Sequence, residues 1–264
     1  MFGLDFLPWY MSGHCGGKFV PYTLYDGGLA VSSAGAVTSD FVWRGSQKKY
    51  IQLSTVATLP EYRGRGLSRW LMEKILSDKK DRCDCVYLYA NDSVKNFYPK
   101  FGFAPAFEYR YTMQLAKKAG ACRRLDMNLS CDVGLLLEKH RQSNPFSELT
   151  AEGSADLLMF HCIKFLPDCV YYLEDHDAVV IAEHDESRMF CYDVYGGNGR
   201  GLAALLGAAA APGTKSATLG FTPKAACDFV IERAVEYDTT FFVLEGKENI
   251  LDGNRVTFPF LSRA

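Results

Sequence analysis

The stretch VATLPEYRGRGLSRWL at residues 56–71 joins an apolar strand, two glycines and the start of a helix without a long intervening loop. Gly64 and Gly66 carry no Cβ atom, so the backbone can approach a ligand closely. The N–H groups that follow open a helix whose dipole favours negative charge, and Arg63 and Arg65 can add charge-assisted hydrogen bonds. This arrangement predicts a seat for a diphosphate. A purely structural turn is the alternative, because neither GxxxxGK[ST] nor GxGxxG is present.

The segments on either side predict a mixed sheet with helices. Residues 19–58 have the alternation of an antiparallel meander, Leu67 begins an amphipathic helix of about 12 residues, and residues 83–90 and 105–115 read as further strands. A strand–helix–strand succession of this length is a right-handed crossover. We therefore expect the end of the meander, at residues 50–59, to be the parallel neighbour of the strand at 83–90.

The chain beyond residue 128 repeats this order of elements. A polar segment at 116–128 has the composition of a linker, and a helix is expected around 132–141. An alanine-rich helix at 201–211 ends at a Pro-Gly pair. The strands expected in this half lie at 169–174, 177–183, 188–195, 216–221 and 239–245.

A short fragment also recurs. GRGLSRWL at 64–71 resembles GRGLAALL at 199–206, which lies 135 residues further along the chain. Together with the repeated element order, this match favours a duplicated fold over a chance similarity. We expect two domains, at residues 1–117 and 118–264.

Composition excludes several classes of partner. With a net charge of −2, the chain has no surplus of Lys and Arg for a nucleic-acid backbone or an anionic membrane surface. The start, MFGLDFLPWYMSG, lacks the charged leader of a secretory signal, and no apolar run reaches the roughly 18 residues that span a bilayer. The nine cysteines include no CxxC and the five histidines no HxxxH-like pair, so we expect no metal site and a reduced, cytoplasmic protein.

Two motifs occur in order on the predicted elements. In the first, Arg63, Gly66 and Ser68 occupy the defining places of Q/R-x-x-G-x-G/A after an apolar strand and a proline. In the second, NDSVKNFYPKFGF, Asn91 and Tyr98 fit the pattern N-x-x-A-x-x-x-Y, with valine in place of the alanine. These motifs resemble the acyl-CoA-binding signature of the GCN5-related N-acetyltransferase (GNAT) family. The resemblance covers residues 19–115 and implies an α/β (mixed α+β sheet) GNAT fold, present here as two tandem GNAT-like domains.

The resemblance implies acetyl-CoA as co-substrate, with no metal. The pyrophosphate would lie on the glycine turn, and the pantetheine arm would lie in a gap between the splayed strands 50–59 and 83–90, hydrogen-bonded to the backbone of Val56 and Thr58. A backbone N–H near Ala57 would bind the developing oxyanion. The cofactor-binding residues implied in this way are Val56, Ala57, Thr58, Arg63, Gly64, Arg65, Gly66, Leu67, Ser68, Asn91 and Tyr98.

The resemblance also implies the acid of the reaction. Tyr98 would protonate the departing thiolate, and the alternative is a tyrosine that only packs on a short helix. Asn91 would hold a water or the pantetheine, or would only cap the helix that starts near Ser93.

The base is not given by either motif. Relatives often carry a glutamate on the strand before the glycine turn, but YIQLSTVATL has none, and Gln52, Ser54 and Thr55 could only relay a proton through water. We predict instead that the α-carboxylate of Ala264 is the base, because the apolar alternation of VTFPFLSRA can anchor the last residues. An exposed tail is the alternative.

The resulting prediction is an acetyl-CoA-dependent N-acetyltransferase that acts on a primary amine, preferably of a small molecule. The first domain begins only 18 residues before Phe19, so either the start lies upstream or the acceptor site is open. The second domain has Asn198 in the place of the motif's arginine and is expected to lack the cofactor and to complete the acceptor cleft. The alternatives are a catalytically silent acyl-CoA-binding regulatory module and an acetyltransferase that acts on a protein amine.

Overall fold

The computed structural model describes residues 7–11, 13, 16–115, 121–197 and 199–264. Five α-helices lie in this part of the chain: α1 Leu7–Met11, α2 Leu67–Lys79, α3 Ser130–His140, α4 Ala155–Lys164 and α5 Leu202–Ala209. The strands of its first half are β1 Phe19–Asp26, β2 Leu29–Trp43, β3 Ser46–Thr58, β4 Cys85–Ala90, β5 Phe103–Ala106, β6 Tyr109–Gln114 and β7 Cys122–Arg124. Those of the second half are β8 Leu149–Glu152, β9 Val170–Leu173, β10 Ala178–Asp185, β11 Arg188–Gly196, β12 Ser216–Leu219, β13 Val230–Arg233 and β14 Thr240–Leu244.

These strands form two seven-stranded sheets, which confirms the predicted mixed α/β class. The first sheet has the order β1-β2-β3-β4-β14-β5, with β8 paired to β2, and the second has the order β13-β6-β12-β11-β10-β9-β7. The meander β1–β3 is antiparallel, and β3 and β4 are parallel neighbours, as the crossover through α2 predicts.

The two sheets exchange strands across the predicted domain boundary at residue 117. Strand β14, from the second half, lies in the first sheet between β4 and β5. Strand β6, from the first half, lies in the second sheet between β12 and β13. The predicted boundary at 117 therefore does not divide the two sheets, because each sheet contains strands from both sides of it.

The segment 105–115 is not one strand, as the sequence suggests. It divides at residues 107 and 108, so that β5 stays in the first sheet and β6 enters the second. Pro105 lies on β5, at the edge of the first sheet, where its missing N–H costs no ladder hydrogen bond.

The expected linker at 116–128 also needs correction. Residues 116–120 lie outside the described residues, but Cys122–Arg124 forms β7, which pairs with β9. The short helix expected at 92–101 is two 3₁₀ turns, Asp92–Val94 and Tyr98–Phe101. Helix α4 was not predicted; its apolar residues are buried around most of its circumference, which obscures the helical period in the sequence.

Each face of the first sheet buries a different core. One face packs on α2 through Leu71, Met72 and Ile75. The other face holds Tyr50 and Tyr87 against the C-terminal segment, in which Phe258 is fully buried. The end of the chain is thus fixed on the first sheet, opposite α2. None of the helices in the described ranges is long and apolar enough to cross a membrane.

Candidate active site

The glycine turn before α2 has free space next to its two glycines. Gly64 and Gly66 have φ values of 75° and 79°, a backbone conformation that side chains with a Cβ rarely adopt. A Cβ placed on either glycine would have no atom of the described residues within 4 Å. The space in front of this turn is therefore free for a ligand.

The N-terminus of α2 presents donors to that space. Gly66 is the N-cap residue, and no side chain caps the helix. Because a helix leaves its first N–H groups without intrahelical acceptors, those of Leu67 and Ser68 are available to an anion. The Ser68 hydroxyl folds back and bonds to Thr58 Oγ1 at 2.7 Å. Serine is thus accommodated at a motif position usually held by glycine or alanine.

The two arginines of the turn are exposed and anchored by their own loop. Arg63 Nε donates to Thr58 O at 3.3 Å. Arg65 donates to Glu61 O at 2.9 Å and lies 4.6 Å from the centre of the Tyr62 ring. Both guanidinium groups therefore add positive charge at the rim of the turn.

A gap opens between β3 and β4 beside this turn. The two strands pair only from Tyr50 to Leu53 on β3 and from Cys85 to Leu88 on β4. Beyond Leu53, β3 keeps its partner β2 but has no strand on its other side among the described residues, while β4 stays paired with β14 on its far edge. A bulge with Thr55 at φ 51° lies where the gap begins. One edge of β3 is thus left with unpaired peptide groups.

The ladder between β2 and β3 shows which groups face the gap. Leu59 N–H donates to Val31 O at 2.9 Å, so residue 59 faces β2. Because peptide directions alternate along a strand, Ala57 also faces β2, whereas Val56 and Thr58 face the gap. Of the backbone N–H groups near Ala57, the one that points into the gap therefore belongs to Val56.

Tyr98 lies on the α2 side of the gap. It is 6% exposed and packs with Phe103 and Phe242 at ring distances of 6.3 and 5.8 Å. Leu53 and Ala90 belong to the same core, which brings Tyr98 close to both strands that border the gap. Burial raises the pKa of the Tyr98 hydroxyl, so the group stays protonated at neutral pH.

Asn91 lies at the start of the first 3₁₀ turn, but its side chain does not cap that turn. Its Nδ2 donates instead to Asp238 Oδ2 at 2.9 Å, and the other oxygen of Asp238 accepts the Asp92 N–H at 2.9 Å. The capping residue is therefore Asp238, from the second half of the chain. Asn91 remains exposed at the edge of the site.

Ala264 is docked on β3 at the opposite face of the gap. Gln52 Nε2 donates to Ala264 O, and Ala264 N–H donates to Gln52 Oε1, each at 2.9 Å. The ring of His161 bonds to Arg263 O at 2.9 Å. The last residues are thus bound to the first sheet, while Ala264 itself is exposed, and the partner Gln52 carried no sequence signal beyond its place on the strand.

A second polar group lies next to this contact. Ser54 is two residues beyond Gln52 on β3 and so faces the same side of the sheet. Its hydroxyl is buried and has no hydrogen-bond partner within the described chain. A buried hydroxyl at the start of the gap can complete its hydrogen bonds with a ligand or with an ordered water.

The corresponding gap in the second half is filled by the chain itself. Strands β11 and β12 are parallel only over Arg188–Cys191 and Ser216–Leu219. Beyond this, residues 144–148 run alongside 222–224 through Glu148 N–H to Thr222 O and Lys224 N–H to Phe146 O, both 2.8 Å.

The glycine loop of the second half is also occupied. A Cβ on Gly197 would lie 2.9 Å from the Leu205 side chain and 3.6 Å from the Phe146 ring. The Asn144 amide bonds to the buried carboxylate of Asp193 on β11. Asn198 lies outside the described residues.

Residues 5–103 match the sequence profile of the Acetyltransferase (GNAT) family. The glycine turn, the gap and Tyr98 all lie within the matched segment. No curated protein matches the chain.

Solved structures with the same fold extend over most of the chain. A probable N-acyltransferase of unknown function from Enterococcus faecalis V583 is 16% identical, with a TM-score of 0.52 over 88% of this chain and 63% of its own length. Eis1 from Mycobacterium abscessus is 15% identical, with a TM-score of 0.51 over 87% and 65%. A GCN5-related N-acetyltransferase from Anabaena variabilis ATCC 29413 is 12% identical, with a TM-score of 0.55 over 92% and 66%.

These similarities show the GNAT fold, and the two mixed sheets are consistent with two GNAT-like units. The chain spans just under two thirds of the length of each of these proteins. Within the described ranges, no cluster of three or more His, Cys, Asp or Glu side chains is placed to hold a metal ion.

Proposed function

We propose that the chain transfers an acetyl group from acetyl-CoA to a primary amine. The observation that carries this proposal is the open glycine turn at the N-terminus of α2, which lies directly beside the unpaired edge of β3. The glycine turn can bind a pyrophosphate, and the unpaired peptide groups of β3 can bind the amides of an arm attached to it. A GNAT domain in the same segment supports this choice of ligand.

Three groups of residues would hold acetyl-CoA. The N–H groups of the turn from Gly64 to Ser68 would bind the pyrophosphate, with Arg63 and Arg65 at its rim. The backbone of Thr58 and Val56 would bind the pantetheine arm along the gap. Acetyl-CoA supplies an acetyl group activated as a thioester, and the Val56 N–H is the donor best directed to polarise its carbonyl group.

Tyr98 would act as the general acid. The amine nitrogen forms a bond to the acetyl carbon, the carbon–sulfur bond breaks, and the Tyr98 hydroxyl gives its proton to the sulfur. A thiol has a pKa of about 8.5, so it leaves without strong assistance, and the acid contributes roughly 10² to 10³ in rate.

The carboxylate of Ala264 would act as the base. An alkylammonium with a pKa near 10.4 is neutral in only a small fraction at pH 7, which costs roughly 4 to 5 kcal/mol. Gln52 holds the backbone oxygen of Ala264, which as a terminal carboxylate would take the proton lost by the amine. Its position on β3, beside Ser54 and opposite the Tyr98 face, supports this role.

The second half would complete the acceptor cleft without a cofactor of its own. Residues 144–148 already occupy the gap between β11 and β12, which supports a copy without an acyl-CoA site. The joint cleft favours a small amine over a protein amine. A cytoplasmic location remains the prediction from the cysteine pattern.

The proposal is tested by thiol release from acetyl-CoA against a panel of primary amines, with calorimetry of acetyl-CoA binding in parallel. We expect binding and amine-dependent release. Absence of binding would contradict the proposal, and binding without release by any amine would favour the regulatory module.

A further inference from the structure

A groove lies where the two sheets exchange strands. Its volume is about 260 Å³, and its walls are Tyr89, Phe107, Glu108, Arg233, Glu236 and Phe241. Tyr89 belongs to β4, one residue beyond the point where β3 and β4 stop pairing. The groove therefore begins beside the gap of the proposed active site and opens outward between the two halves.

The walls of the groove are largely aromatic. The rings of Tyr89 and Phe241 lie 4.8 Å apart. Phe107 is 47% exposed and carries the guanidinium of Arg233 over its face, 3.1 Å from the ring centre. Such walls suit an apolar ligand body, and the stacking keeps the long Arg233 side chain in one place.

The carboxylates of the groove are already neutralised. Arg263 bonds to Glu108 at 2.9 Å and to Glu236 at 3.0 Å. Glu108 also accepts the Phe258 N–H at 2.7 Å and the Tyr89 hydroxyl at 3.2 Å. Burial opposes the charge on Arg263, but the adjacent carboxylates outweigh it and raise the pKa of the guanidinium. This cluster is a fixed internal network rather than a free anion site.

Arg233 differs from every other charged group of the groove. Within the described part of the chain it makes no ion pair, although Arg263, Glu108 and Glu236 all do. It is exposed to solvent and held on Phe107. A positioned guanidinium without a partner is suited to bind a carboxylate through two parallel hydrogen bonds.

The Tyr89 wall of the groove contacts the residue that precedes the proposed base. Arg263 lies 4.5 Å over the Tyr89 ring, and the next residue, Ala264, is bound to Gln52 at the gap. A ligand whose anion lies on Arg233 and whose body lies on the aromatic walls would direct its other end towards Ala264.

We infer that this groove binds the acceptor, and that the acceptor is an amino carboxylate: a primary amine joined to a carboxylate by an apolar spacer. The inference rests on the proposed acetyl transfer and adds its substrate class. The amine lies at the gap, the spacer lies against Tyr89 and Phe241, and the carboxylate pairs with Arg233. Arg233 is thus a specificity residue and takes no part in the proton transfers.

The test uses two series of acceptors: ω-amino acids of increasing chain length, and alkylamines of the same lengths without the carboxylate. The full-length protein and its Arg233→Met variant are compared with both series. Methionine keeps an apolar stem on Phe107 but removes the charge. Arg188→Met, which removes an exposed arginine paired to Asp185 on the β10–β11 hairpin, is the matched control.

We expect one ω-amino acid length to give the highest kcat/KM, and Arg233→Met to lower that value at least tenfold through KM. The same variant leaves kcat/KM for the alkylamine of equal length within about twofold, and Arg188→Met changes neither. An equal loss for both series, or no preference for the carboxylate, overturns the inference while acetyl transfer itself stands.

A binding measurement separates this inference from the proposed function. Calorimetry of every ω-amino acid of the series, and of the carboxylic acids of equal length without the amine, needs no turnover. Binding that weakens at least tenfold in Arg233→Met supports the groove even if no acetyl transfer is found. Equal binding to both proteins overturns it even if transfer is found.

Discussion

The side-chain amide of Gln52 and the backbone of Ala264 form a reciprocal pair of hydrogen bonds, each 2.9 Å long. Gln52 is 4% exposed, so its amide would be costly to leave without partners. Tyr87 adds a longer contact from its hydroxyl to Gln52 Oε1, at 3.4 Å. The pair joins the end of the chain to the strand that borders the active-site gap. We therefore expect a change at Ala264 to alter the contacts of β3.

The first prediction concerns the proposed base. Adding one glycine after Ala264 moves the carboxylate away from Gln52 but leaves the Arg263 ion pairs in place. We expect kcat to fall at least tenfold, because the amine loses its proton acceptor, while calorimetry shows unchanged acetyl-CoA affinity. One glycine added at the N-terminus is the control. Full activity of the C-terminally extended protein would exclude this base and leave a water relay from Ser54 or Thr55.

Deletion would be a poorer test than extension. Arg263 has a side chain that is 14% exposed and forms ion pairs with Glu108 and Glu236. Removing it leaves Glu108 buried without its cation, which typically costs 3 to 5 kcal/mol of stability. Loss of activity after such a deletion would report unfolding as readily as loss of a base.

The second prediction concerns the anion seat. Gly66→Val places a branched side chain in the open space before α2, where the pyrophosphate must approach. We expect acetyl-CoA affinity to fall at least tenfold, about 1.4 kcal/mol or more. Calorimetry measures it directly.

The control for that change is Gly253→Val. Gly253 has a φ of 72° and no atom within 4 Å of an added Cβ, so the variant introduces the same backbone strain far from the seat. Both variants should unfold at lower temperatures by similar amounts. Equal acetyl-CoA affinity in the two variants would contradict the prediction that the turn before α2 binds the pyrophosphate.

The third prediction concerns Tyr98. Tyr98→Phe keeps the ring packed against Phe103 and Phe242 and removes only the hydroxyl. We expect kcat to fall about 10² to 10³ with acetyl-CoA affinity within a few-fold of the unchanged protein, since the hydroxyl acts on the transition state. The melting temperature should stay close to that of the parent. A kcat near the parent value at saturating acceptor would reduce Tyr98 to a packing residue.

Local signals in the sequence were sufficient to predict the first half of the fold. Gly64 and Gly66 must adopt positive φ, and the apolar spacing from Leu67 to Ile75 specifies a helix, so the strand–turn–helix unit and its parallel neighbour follow from short-range physics. The elements that repeat in the second half were predicted within a few residues for the same reason.

Long-range pairing was not predictable from such signals. Strands β6 and β14 have the same alternation whichever sheet they join, so nothing local shows that they are exchanged. The partner of Asn91, Asp238, lies 147 residues away. The direction of the Ala57 peptide depends on the phase of the β2–β3 ladder, which is set by the bulge at Thr55. The groove around Arg233 exists only because of the strand exchange.

The last prediction concerns acid stability and His140. This residue is 8% exposed, bonds to Ser154 Oγ at 3.2 Å and packs edge-on against Tyr195 at 5.1 Å. Burial lowers its pKa to about 4 from the usual 6.5. Below pH 6.5, His140 is therefore protonated in the unfolded chain but not in the folded chain. The free energy of unfolding falls progressively until the pH reaches about 4. We expect His140 alone to lower the free energy of unfolding by about 2 kcal/mol at pH 5 relative to pH 7.5.

Urea unfolding of the parent and of His140→Gln at both pH values measures this loss. Glutamine can still bond to Ser154 but does not titrate. Burial raises the pKa of Asp193 to about 6, which acts in the opposite direction because the folded state then gains a proton first as the pH falls. That contribution is common to both proteins and cancels in the comparison. We expect the free energy of unfolding of the parent to fall by about 2 kcal/mol more than that of the variant. Equal pH dependence would mean that His140 is protonated in the folded state, and that its burial does not exclude the charge.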